Sequence, residues 1–146
     1  MDILSNFAEN LSELIFDNNL TPKDFSKDIN IVESVTYRYL RKVCLPSLQN
    51  AVNIADYFKC STDYLFGLTE SNEKAEFKKA PPFNQRFKEM LNKNKLSRYA
   101  FRKVTHFAQQ SVDDWYHGTR TPSVQNAILI AKYFDCTLDF LIGREN

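Results

Sequence analysis

Glycine is scarce: the 146 residues include only 3, with 5 prolines. That excludes collagen-like and Pro/Gly-rich disordered chains, and it leaves no loop to cradle a phosphate. Cysteine is equally sparse. Cys44, Cys60 and Cys136 form no CxxC pair and are odd in number, so they read as small buried thiols in a reducing compartment. No apolar run approaches the roughly 18 residues of a membrane span. The opening Met-Asp-Ile-Leu-Ser lacks the basic-then-apolar layout of a signal peptide, and a cytoplasmic location is expected. The two histidines, His106 and His117, have no Cys or Ser partner at a recognisable catalytic spacing. Asp113 and Asp114 are adjacent and fall on different helix faces, and with His117 they make a weak metal set. Neither an enzyme nor a metal or small-molecule cofactor is expected. With three residues after Gly143, no further domain is expected either.

What the chain does have is a repeat. A shift of 76 residues lays 7–67 on 83–143 without a gap. Pro46-Ser47-x-Gln49-Asn50-Ala51 returns as Pro122-Ser123-x-Gln125-Asn126-Ala127. Ala55-x-Tyr57-Phe58-x-Cys60 returns as Ala131-x-Tyr133-Phe134-x-Cys136, and Asp63-x-Leu65-x-Gly67 as Asp139-x-Leu141-x-Gly143. Two copies at so long a period are too few for a solenoid. They imply two domains of about sixty residues, near the lower end of what folds alone. The expected division is a first domain over 1–68, a charged, proline-containing linker over 69–82, and a second domain over 83–146.

Each copy reads as five short helices, with no convincing strand pattern. Phe7, Leu11, Leu14 and Ile15, and likewise Phe83, Phe87, Met90 and Leu91, form an apolar stripe on helix one. Helix two starts after Thr21 or Ser97, both good N-caps, and buries Phe25 or Phe101. It ends near Asn30 or His106; Asn takes a left-handed backbone more comfortably than His. Helix three runs from about Val32 to Arg41 and from Ala108 to His117, with Gly118 as its stop. Helices four and five follow Ser47 and Ser61, or Ser123 and Thr137.

This pattern resembles the Cro/CI-type helix-turn-helix, the lambda-repressor-like or Xre family. The resemblance is carried by Leu96-Ser97-Arg98-Tyr99-Ala100-Phe101, by Phe107 through Ser123, and by the tail from Ala131 to Leu141. Leu20 to Pro46 keeps the same spacing. The resemblance implies an all-α fold of two tandem five-helix helix-turn-helix domains. It also implies a bacterial or phage regulator of transcription, in the simplest case a repressor, with double-stranded DNA as its partner.

Charge separates the copies. Residues 1–76 hold 7 Lys and Arg against 12 Asp and Glu, whereas residues 77–146 hold 12 against 6. Affinity for DNA comes largely from cations that displace condensed counterions, so the second copy is the expected reader. The resemblance places the start of helix three in the major groove. Gln109, Gln110 and Ser111 stand there, and Asp114 one turn on is a further base-contact candidate. Arg98, His117, Thr119 and Arg120 are the backbone-contact candidates. The first copy offers the unfavourable Glu33, with Ser34, Arg38, Arg41 and Lys42 as weaker candidates. Its expected role is association, with itself or with another protein, through residues such as Tyr37 and Leu40; Tyr39 is expected in the core.

The sequence departs from the family in three places. Val32 and Ala108 stand where helix three usually has a Ser or Thr cap. Ser26 and Arg102 hold the small-residue position of helix two, so Arg102 must snorkel outward. Leu40 and Tyr116 replace an acidic residue and are expected to face Ile15 and Leu91. A protein-interaction module, antitoxin-like or anti-repressor, remains the alternative function.

Overall fold

A computed structural model describes residues 2–72 and 76–145. Among them are ten α-helices and no strand. The chain divides into two compact units, Met1–Phe77 and Lys78–Asn146. Residues 78–82 of the expected linker therefore belong to the second unit, and 73–75 lie outside the described residues. No helix is long and apolar enough to cross a membrane among the described residues.

The first unit comprises α1 (Ile3–Asp17), α2 (Pro22–Ile29), α3 (Glu33–Leu40), α4 (Leu48–Phe58) and α5 (Thr62–Leu65). Thr21 and Asp24 close a capping box at α2, with Pro22 at the first helical position where its missing N–H costs nothing. Ser47 and Ser61 cap α4 and α5. Phe7 sits at the centre of the core, stacked on Phe66 at 5.4 Å and edge-on to Tyr39 at 5.5 Å. Tyr39 is buried, as expected. Ser26 and Thr36 share a buried hydroxyl–hydroxyl bond of 2.6 Å between α2 and α3.

The second unit comprises α6 (Phe83–Lys93), α7 (Arg98–Thr105), α8 (Gln109–His117), α9 (Val124–Tyr133) and α10 (Leu138–Ile142). Ser97, Ser123 and Thr137 cap α7, α9 and α10. Phe87 meets Phe101 and Trp115 edge-on, and Phe101 stacks on Phe134. At the positions of Ser26 and Thr36 stand Arg102 and the buried Val112. With no hydroxyl pair to form, Arg102 turns outward and lays its guanidinium 5.2 Å from the centre of the Tyr99 ring.

One ionic contact here is fully enclosed. Arg144 Nη1 donates to Asp139 Oδ1 at 2.6 Å, with side chains 0% and 1% exposed. The Lys78 backbone N–H donates to the Arg144 carbonyl at 2.7 Å, tying the segment before α6 to the segment after α10. Gly143 takes φ +88°, and a Cβ there would lie 2.7 Å from Pro81. Close approach thus joins left-handed backbone in requiring glycine at this position.

The turn between α7 and α8 holds a non-glycine residue in left-handed backbone. His106 caps α7 at φ 63°, and Asn30 does the same for α2 at φ 59°. Asn tolerates this region better because its short side chain bonds locally. His106→Asn is expected to stabilise the second unit by about 0.5 kcal/mol, read from the urea midpoint followed by Trp115 fluorescence. No change, or a loss, would refute the strain.

Candidate nucleic-acid interface

The start of α8 is open. Its N-cap is Ala108, which has no side-chain cap bond, so its first N–H groups are left for water or an anion. Gln109 and Gln110 are exposed on this first turn, and Ser111 is half-buried. Gln109 lines a groove of about 370 Å³ together with Ser97, Arg98, Tyr99, Arg102 and Asp113. The ends of α7 and α8 thus present amide, guanidinium and hydroxyl groups to one concave surface.

Three of the charged candidates, Arg98, His117 and Asp114, already have side-chain partners. Arg98 Nη1 donates to Asp113 Oδ1 at 3.1 Å and lies 3.1 Å from His117 Nε2. Its guanidinium also rests on the Tyr116 ring at 4.3 Å, with the Lys88 ammonium 4.9 Å from that ring. Tyr116 is therefore the seat of two cations rather than simply an apolar partner of Leu91. Arg98 is held in place but its side chain is 39% exposed, so an incoming phosphate can compete for it. Asp114 accepts from Gln110 Nε2 at 3.0 Å, and its carbonyl accepts from the N–H groups of Gly118 and Thr119. It both orients Gln110 and closes the helix end.

His117, Thr119 and Arg120 are exposed around Gly118, whose φ of +82° turns the chain out of α8. The fold brings Arg98, Asp113 and His117 together and pairs Gln110 with Asp114. Sequence reasoning missed Tyr99. It is 60% exposed, with Arg102 and Lys103 packed on its ring. Spacings of three and four residues on α7 were the available signal.

In the first unit, Glu33 and Ser34 are exposed on the first turn of α3. Arg38 is exposed, Arg41 lies 5.7 Å from the Tyr37 ring centre, and Lys42 pairs with Glu9 at 3.5 Å. Val32 and Val43, at 67% and 59% exposure, flank this helix with apolar surface. Leu40 is half-buried.

Residues 87–141 match the helix-turn-helix family model. The match spans α7 and α8 and lies wholly within the second unit. It points to DNA binding and regulation of transcription. No curated protein and no solved structure matches the chain. Within the second unit, α7 and α8 both lie inside the matched residues and are joined by a turn at His106. The unit carries 12 Lys and Arg against 6 Asp and Glu.

Proposed function

We propose that the chain is a sequence-specific regulator of transcription, acting as a repressor by occupying its site. The helix-turn-helix unit lays α8 in the major groove. Gln109 and Gln110 read base edges, with Ser111 and Asp114 beside them. Arg98, His117, Thr119 and Arg120 hold the phosphate backbone. The observation that carries this reading is the pair of exposed glutamines on the uncapped first turn of α8, in a cationic unit. Glutamine can bond bidentately to adenine N6 and N7, and the surrounding cations supply affinity for any duplex.

The first unit is, in this reading, a second copy of the same fold turned to association. Its α3 begins with Glu33 rather than glutamine, and Val32 and Val43 expose apolar surface beside it. In this reading the repressor acts in the cytoplasm and without a cofactor.

Selection from a random duplex pool with the intact chain, at near-physiological salt, tests the proposal. Enrichment of a motif is expected; its failure would overturn sequence-specific reading. Arg98 gives a second readout. Arg98→Ala should weaken binding to unselected duplex several-fold and flatten the plot of log K against log salt by about one. An unchanged slope would show that Arg98 does not reach the backbone.

A further inference from the structure

The second unit carries another concave surface, between α6 and α10. Two adjoining grooves of about 500 Å³ each share Lys93, Phe140 and Glu145. The first is walled by Met90, Phe134 and Phe140. The second is walled by Lys78, Lys79 and Arg86. The Phe140 ring joins them, with the Arg86 guanidinium at 4.8 Å and the Lys93 ammonium at 4.9 Å. Against these four cations stand three carboxylates, Glu89, Glu145 and, on the wall of the first groove, Asp135. Glu89 accepts from Arg86 at 3.1 Å and Glu145 from the Thr137 hydroxyl. The Arg86 and Gln85 bonds hold the Glu89 carboxyl below its ordinary range.

The corresponding face of the first unit has the opposite sign. Arg86 donates to the carbonyls of Phe140 and Leu141; Asn10, 76 positions earlier, donates to those of Tyr64 and Leu65. The geometry is retained and the charge is gone. Lys93 corresponds to Asp17, and Lys78 to Asp2. Glu13 stands at the position of Glu89 but has no arginine beside it. Burial and the carboxylates of Glu13 and Asp17 push the Tyr64 hydroxyl above its usual range, which puts that negative charge over α5. Next to Asp17 is Phe16, at 79% the most exposed large hydrophobic side chain among the described residues. Its counterpart in the second unit is Asn92.

We propose that α1 of one copy docks in the α6–α10 groove of a second copy, with Phe16 against Phe134 and Phe140, and Glu13 and Asp17 against Lys79 and Lys93. This deepens the association role proposed for the first unit and rests on it. Charge selects the pairing, because two acidic faces repel each other and so do two basic grooves. The contact is head-to-tail, so it closes where two copies engage reciprocally and otherwise propagates as an open chain. The phenyl ring is the anchor, and the carboxylates fix its register.

Sedimentation of the intact chain over a range of concentrations tests this. Association is expected, and it should weaken as salt rises. Phe16→Asn and Asp17→Lys each install the residue that the second unit carries at the matching exposed position. Each should weaken association about tenfold or more, and so should Lys93→Asp. Combining Asp17→Lys with Lys93→Asp should restore it, because the pair is re-formed with its signs exchanged. Association that survives both Phe16→Asn and Asp17→Lys would overturn this docking and leave the broader association role standing. A monomeric mass at every concentration would overturn this docking and any self-association through the first unit.

Discussion

Arg144→Met is expected to destabilise the second unit by about 3–5 kcal/mol, the cost of leaving a buried charge without its partner. Arg144 and Asp139 are enclosed at 0% and 1% exposure, so water cannot replace the lost bond. Trp115 is the only tryptophan in the chain and is 3% exposed, so its fluorescence reports on this unit alone. Urea unfolding followed at Trp115 should show the midpoint falling sharply. Asp139→Asn keeps the shape and removes one charge, and should fall in the same direction. Replacing both partners by apolar residues should cost far less than either single change, because no orphaned charge remains. A single-variant loss below about 1 kcal/mol would mean that the site relaxes and admits water. The first unit offers a natural contrast, since position 68 there is a leucine at 39% exposure.

The second large effect concerns DNA. With a selected site in hand, Gln109→Ala and Gln110→Ala should each lose about 1–3 kcal/mol of discrimination, roughly tenfold to a hundredfold in preference for that site. Affinity for unselected duplex should hardly move, because neither side chain contributes charge. Gln110 has a further part to play. Its amide is already oriented by Asp114 at 3.0 Å, so Asp114→Ala should relax specificity at the base Gln110 reads. The informative comparison is the ratio of selected to unselected binding at fixed salt. Equal losses on both DNAs would place the glutamines in non-specific contact, and no loss on either would remove α8 from the reading role.

Much of this architecture was legible in the sequence because short-range chemistry dictates it. Thr21-Pro22, Ser97, Ser123 and Thr137 announce helix starts by their ability to accept from the backbone two or three residues on. Asn30 and Gly118 announce ends by tolerating left-handed backbone. Gln109 and Gln110 are singled out by the family resemblance; the fold turns Val112 and Trp115 inward and leaves both glutamines exposed. What could not be read was pairing between segments. Nothing local in Arg98 says that Asp113, fifteen residues on, and Tyr116 will occupy it. Arg144 looks like an ordinary charged residue near a terminus until α10 closes over it. Such contacts depend on how elements approach one another, and a residue pattern encodes that only weakly.

The bond from the Lys78 N–H to the Arg144 carbonyl has a wider consequence. It makes the second unit a closed cassette whose inlet and outlet lie side by side. A module of that form can be duplicated, transplanted or circularly permuted without threading one end through the fold. Joining residue 144 back to residue 78 through a short linker, and opening the chain elsewhere at an exposed turn, should preserve the five helices. The same neighbourhood of ends is a plain physical reason why a chain can carry such a module behind another without either having to unravel.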